Sequence, residues 1–300
     1  LILSRKRSLY STRRLREEGE ALGHDVDIAD PLKCVLRLSH GQPSMLVGVR
    51  TLKAPDAVLP RIGTAGTTYS IAVVRHFELM GVPVVNRASA IEHAKNKLSC
   101  LQLLAMKGVP VPDTLISRYP RDLDKMMKHV GGPPLILKLL RGTQGTGVIF
   151  AESKASVESM LETIWSLGED IMIQRFVAES KGRDIRVLVV NGEARAAMRR
   201  IGPEGEFRSN IHRGGIGQPV ELTKAFKRIA VKAAAAAGLE LAGVDVLESS
   251  AGPQVIEVNA SPGFEGLEEA TKQNIAKLFV EAAARAARKK KKCRPSRSPA

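Results

Sequence analysis

GVDVLESSAGPQVIEVNASPG, residues 243–263, reads as two strands around a Gly-Pro turn, and its polar letters decide what the rest of the chain is for. Val244, Val246, Val255, Ile256 and Val258 imply that both strands are at least partly buried. Glu257 and Asn259 stand two apart and therefore face the same side of their strand. Asp245 reaches them across the hairpin if the register permits. Two carboxylates and an amide oxygen are hard donors of the kind magnesium takes. Partial burial strengthens that reading, because repulsion and desolvation oppose ionisation of neighbouring carboxylates unless a cation joins them. The plainer alternative is a pair of ordinary exposed acids. Pro262 and Gly263, in the turn after Asn259, are placed to hold this acidic rim.

Upstream, Ile185–Val190 and Glu193–Arg200 flank Asn191-Gly192, a pair that tolerates positive φ at both positions and so predicts a tight type I′ hairpin. Asp184 and Arg186 share one strand face, and Arg199-Arg200 close the second strand. FRSNIHRGG, residues 207–215, adds Arg208, Ser209, Asn210 and Arg213. Cations here suit phosphate and the negative charge that develops in phosphoryl or acyl transfer, with Arg200 and Arg213 the candidates for that task. Each also reads as an ordinary surface charge or a loop-ordering contact.

Further upstream, LILKLL (135–140) runs into RGTQGTG (141–147). Gly142 and Gly145 let backbone amides approach phosphate oxygens. The GK[ST] ending of a P-loop is missing, so a tight turn remains the alternative. Lys138 shares a strand face with Ile136 and Leu140, and an ammonium there wants a countercharge that a phosphate would supply. Lys97, at a helix start, reads first as a solvent-facing cation.

The first ninety residues alternate strand and helix. Residues 1–93 read as an open α/β unit, 94–176 as a small α/β unit, 177–287 as an α+β unit and 288–300 as a basic, disordered tail, with a linker near 88–96. A helix is expected over 265–288. No GxGxxG follows the first strand, which argues against a dinucleotide fold. Ser261 has no assignable His/Asp partners, which argues against a serine hydrolase. Cys34, Cys100 and Cys293 have neither metal-site nor disulfide spacing. No apolar run is long enough for a membrane span, and a reducing, cytoplasmic setting is expected. The net charge of +15 over 300 residues attracts anions without choosing among them. The tail is a solubilising end or a contact for ribosome or RNA.

Taken in order, ILSRKRSLYSTRRLRE, DPL, LPRIGT, NKLSCLQLLA, GTQGTGV, GRDIRVLVV, FRSNIHRGG, GVDVLE and EVNASPG resemble the ATP-grasp superfamily, and within it the RimK-type ribosomal-protein glutamate ligases, over nearly residues 1–287. That resemblance implies an ATP-grasp fold, α/β and α+β, preceded by an open α/β N-terminal domain. It implies an ATP-dependent ligase that extends a ribosomal-protein C-terminal tail with L-glutamate through an acyl phosphate, commonly as a homo-oligomer. By the same resemblance Lys97 and Lys138 contact nucleotide, Gln174, Arg175 and Phe176 form the adenine hinge largely through backbone, and Asp184 and Arg208–Asn210 line the ATP site. Asp245, Glu257 and Asn259 become ligands of Mg2+ or Mn2+, with two ions implied. Arg175 stands where the family pattern has an acidic residue. A related amino acid, a free peptide, a small molecule or a carrier protein remain alternative substrates, as does polyglutamate synthesis. A non-enzymatic ribosome- or RNA-binding module is the other class.

Overall fold

A computed structural model describes residues 1–63, 66–118, 122–140, 147–209 and 214–293, with side chains through residue 290. The N-terminal unit opens with β1 (Ile2–Leu3), α1 (Tyr10–Ala21) and β2 (Ile28–Ala29). An antiparallel ribbon follows, β3 (Cys34–Arg37), β4 (Ser44–Val47) and β5 (Arg50–Thr51), then β6 (Leu59–Pro60) and α2 (Thr67–Leu79). Strands β2, β1 and β6 pair in parallel, in that order. Beyond β6 the parallel pairing continues only as a single bridge between Val58 and Val84 among the described residues. The ribbon was not foreseen, because Gly41, Pro43 and Gly48 break its strands into pieces too short to show a period.

The expected linker near 88–96 is instead helical: α3 (Ala88–Lys95) meets α4 (Lys97–Met106) at Asn96, whose side chain accepts from the Ser99 amide and caps α4. Just before them, buried Asn86 spends its whole amide on the opposite end of the chain. Its Nδ2 donates to the Leu241 and Ala260 carbonyls at 2.7 and 2.9 Å, and its Oδ1 accepts from the Glu240 and Leu241 amides. This one side chain pins the N-terminal unit to the acidic hairpin.

The small sheet is antiparallel, in the order β7 (Thr114–Ser117), β10 (Ile171–Arg175), β8 (Leu135–Leu139), β9 (Val148–Ala151). Helices α5 (Leu123–His129) and α6 (Lys154–Ser166) cover it over a separate aliphatic core of Leu135, Leu137, Leu161 and Ile171. The large sheet runs β13 (Ile216–Pro219), β12 (Glu193–Ile201), β11 (Arg183–Val190), β14 (Leu241–Leu247), β15 (Gln254–Asn259). Its hairpin at Asn191-Gly192 takes the expected positive φ, 51° and 82°. Val187, Val189 and Val244 on one face pack with Ala230 and Ala233 of α7 (Lys224–Ala236) and with Leu104 of α4. Leu188, Val190 and Met198 on the other face pack under α8 (Glu265–Thr271) and α9 (Ile275–Cys293).

Two expectations at the C-terminus change. The helix expected over 265–288 is broken after Thr271, where Lys272 takes a left-handed φ of 56°. The basic run 288–293, expected to be disordered, continues α9 as helix, since lysine and arginine are good helix formers once the preceding turns are docked. The rest of the tail, 294–300, lies outside the described residues. Among those described, no helix is long and apolar enough to cross a membrane.

Candidate active site

The hairpin register settles which acids meet. Asp245 lies directly opposite Glu257, and Gly243 opposite Asn259, after an irregularity beside Val246. Directly opposed residues point to one face, so the three donors line up as the sequence required. On the other side of β14, Asp245 lies opposite Arg186, and one strand further Asp184 lies opposite Arg200. A patch of alternating charge therefore crosses four strands. Gly243 is needed beside it because a Cβ there would stand 2.7 Å from Pro262. That close approach folds the NASPG turn back over the strand.

Asp245 is almost fully buried, and two guanidiniums hold it. Arg186 Nε donates to Oδ1 and Nη2 to Oδ2, both at 2.6 Å, and Arg200 Nη2 adds an ion pair to Oδ2 at 2.9 Å. Arg200 is itself gripped by buried Asp184, with Nε donating to Oδ1 at 2.7 Å and Nη2 to Oδ2. Burial alone would raise the Asp245 carboxyl, but Arg186 and Arg200 together outweigh it and hold the pKa below the ordinary carboxylate value. Glu257 shifts the other way, pushed up by desolvation and then by Asp245, while Arg186, Lys138 and Lys97 oppose the rise. It has water-accessible surface yet enough protein around it to be desolvated, as expected of a side chain lining an open cleft. No hydrogen bond or ion pair satisfies it among the described residues.

From the facing small sheet comes Lys138. Its ammonium donates to Gln174 Oε1 at 2.7 Å, and Gln174 Nε2 donates to Thr114 Oγ1 at 2.8 Å. Burial lowers the Lys138 pKa to about 8, countered by Glu257 and Asp245, which are close enough for their charges to be felt. Lys97 donates to the Leu140 carbonyl at 3.5 Å, and Lys95 to that of Gly63 at 3.0 Å; burial lowers both, and Glu257 acts on each. Cations from α3, α4 and the small sheet thus surround one open carboxylate of the large sheet.

The remaining expected residues are placed as follows. Gln174 was expected to act through its backbone; its side chain is in fact buried and holds Lys138. Arg175 points outward to Asp113, 3.6 Å away, so its guanidinium does not join the cluster. Phe176 packs on Phe150, centroids 4.7 Å apart, and Phe150 stacks with Phe207 at 5.6 Å, an apolar floor between the sheets. Arg208 pairs with Glu206 at 2.7 Å, and Ser209 is buried. Arg200 and Asp184, expected to meet substrate and nucleotide, meet each other beneath Asp245. Gly142, Gly145, Asn210 and Arg213 lie outside the described residues. The sequence reading also passed over Lys95 and Arg61. Arg61 donates to the Pro262 carbonyl at 2.6 Å and lies over Phe264 and Phe279. No pattern in one sequence ties residue 61 to residue 262.

Among the described residues no three His, Cys, Asp or Glu side chains gather into a metal site. The candidate set is instead two carboxylates and one amide. Asn259 spends its Nδ2 on the Gly243 carbonyl at 3.4 Å, which leaves its oxygen for a ligand. Glu257 is open, and burial together with the neighbouring Asp245 opposes its ionisation, a penalty that a bound cation would offset. The donors fit Mg2+, with Asp245 already shared with arginine.

Comparison with known proteins gives the family. Residues 1–91 match a RimK PreATP-grasp domain and residues 94–283 a RimK-like ATP-grasp domain. A protein of Vibrio vulnificus named "Probable alpha-L-glutamate ligase" is 47% identical over 280 residues, 93% of each chain. Among solved structures, the ATP-grasp ligase PsnB complexed with minimal precursor superposes with a TM-score of 0.76 at 23% identity, covering 95% of this chain and 97% of that one. The same ligase with minimal precursor, Mg and ADP gives 0.75 at 21% identity, covering 96% and 98%.

Proposed function

The chain belongs to the RimK family of ATP-grasp carboxylate–amine ligases, and on that premise we propose that it adds L-glutamate to the C-terminus of a small-subunit ribosomal protein, with release of ADP and phosphate. The observation that carries the reading is that the Lys138 ammonium, on the small sheet, lies close enough to Asp245 and Glu257, on the large sheet, to feel both charges, with Asn259 on the same face as Glu257.

In the first step the acceptor's terminal carboxylate attacks the γ-phosphorus of ATP, forming an acyl phosphate and releasing ADP. In the second, the glutamate amine attacks the acyl carbon, phosphate leaves, and the amine proton passes to solvent or phosphate. Lys138 neutralises phosphate oxygens, and its hydrogen bond to Gln174 fixes where the ammonium points. Lys97 adds a second cation from α4. The backbone of 174–176 and the Phe150–Phe176 pair offer the base an edge and an apolar face. Asp245, Glu257 and Asn259 would hold Mg2+ or Mn2+, two ions by family resemblance, which neutralise the transferring phosphate when bound. The proposed residues position reactants and exclude water rather than supply a nucleophile.

Purified protein with ATP, Mg2+, labelled glutamate and a ribosomal-protein tail peptide tests this by intact mass. Stepwise additions of one glutamyl residue coupled to ADP are expected. AMP and pyrophosphate as products, or no acceptor-dependent mass change, would overturn it. The same reading expects a cytoplasmic homo-oligomer, which sedimentation of the purified protein checks.

A further inference from the structure

We propose that Arg186 is a built-in competitor for the divalent cation at Asp245, displaced when the metal binds and then free to grip an oxyanion of the reacting phosphate or carboxylate. The inference rests on Asp245 being a metal ligand, and it adds an exchange of partners at that ligand.

The geometry separates the two arginines on Asp245. Arg200 is anchored independently, because Asp184 takes its Nε and Nη2 in a buried pair. If Arg200 let go of Asp245, it would still be held. Arg186 has no such second anchor among the described residues: both of its recorded hydrogen bonds go to Asp245, at 2.6 Å each. Its side chain keeps 15% of its surface open to the cleft, against 6% for Arg200. One guanidinium is a fixture and the other can leave.

A departure needs a driving force, and the acids supply it. Asp245 Oδ2 already accepts from Arg186 and Arg200, and Oδ1 accepts from Arg186. A divalent cation ligated there competes for the same lone pairs and repels the guanidinium. Glu257, directly across the β14–β15 ladder and without a hydrogen-bonded partner among the described residues, is the second donor that favours a metal over an arginine. A guanidinium, by contrast, makes its bidentate fork to a single carboxylate, as Arg186 does to Asp245. Released, that fork suits a phosphoryl or carboxyl oxygen pair. The exchange would make the oxyanion grip available only after the metal has arrived.

Binding of Mn2+ to nucleotide-free protein, followed by the electron paramagnetic resonance of free Mn2+, tests this without turnover. Arg186→Gln should bind Mn2+ about tenfold more tightly than wild type, within the range of site-to-site coupling, while Asp245→Asn should lose the site. Equal or weaker binding by Arg186→Gln overturns the proposal. So does absence of binding in wild type and Arg186→Gln alike, which removes the metal site itself. In the unmodified protein, the Arg186 Nε–H resonance, assigned with Arg186→Lys, should exchange slowly with water. Saturating Mg2+ alone, with no nucleotide present for the guanidinium to grip, should then make it exchange fast. A signal that stays protected overturns the proposal even if the glutamine variant fails to fold. Neither readout involves glutamate or an acceptor, so failure of the proposed ligase reaction would leave both interpretable.

Discussion

Lys138 and Asp245 both carry charge on sheet strands that face one cleft, and the protein treats them in opposite ways. Asp245 is neutralised by two guanidiniums within its own sheet, and its carboxyl sits below the ordinary range. Among the described residues Lys138 donates to a neutral amide oxygen alone, and burial lowers its ammonium to about 8. A charge matched inside the fold supports architecture, whereas a charge left with a neutral partner is held for a ligand. Asp245 is asked to do both.

The comparison breaks most visibly in Asp245→Asn. It removes the acceptor that two arginines share, so stability should fall by on the order of 3 kcal/mol, as for other buried pairs missing one partner. Metal-dependent turnover should be lost as well, and denaturant unfolding beside an ADP assay checks both. Lys138→Met should also abolish turnover, by roughly 100-fold or more as for lost transition-state charge stabilisation. Its midpoint of unfolding should stay level or rise, since a desolvated cation is removed. A large loss of stability in Lys138→Met would end the contrast. Glu257→Gln sharpens it: an open carboxylate without a partner among the described residues should lose metal-dependent activity with little change in stability.

A smaller effect concerns pH. The Lys138 ammonium is lowered to about 8 in the fold from the ordinary lysine value of 10.5, so between these values the unfolded chain binds more protons and stability from this group rises with pH. Below about pH 8 the penalty is constant. Phosphate binding runs the other way, because the ammonium discharges. The KM for ATP should therefore climb above pH 8 in wild type and stay flatter in Lys138→Arg, as initial rates across pH would show. Smallest is Ser153→Ala, which deletes the capping box at the start of α6 and should cost about 1 kcal/mol in thermal unfolding without touching turnover.

Much of the fold was legible where the local signal was long. The hairpin at Asn191-Gly192 and the strand LILKL follow from turn chemistry and periodicity. The ribbon at 34–51 and the break at Lys272 were not, because strands of two to four residues and a single left-handed residue leave no period to read. Candidate site residues were legible as types. Two strand acids and an amide at a spacing of two, and a lysine inside an apolar strand, announce themselves by the energetic trouble they would cause if unpaired.

The sequence by itself determined which groups demand partners: Asp245, Glu257 and Lys138 carry charge on strands otherwise apolar, and desolvation forbids leaving them alone. Only the tertiary structure decided who those partners are. Register placed Arg186 against Asp245 and Arg200 against Asp184, and the packing of two sheets brought Lys138 to Glu257. Asn86 and Arg61 fastened the N-terminal unit to the hairpin more than 150 residues away. Such pairings depend on which strands become neighbours, a property of the whole chain's burial rather than of any local stretch.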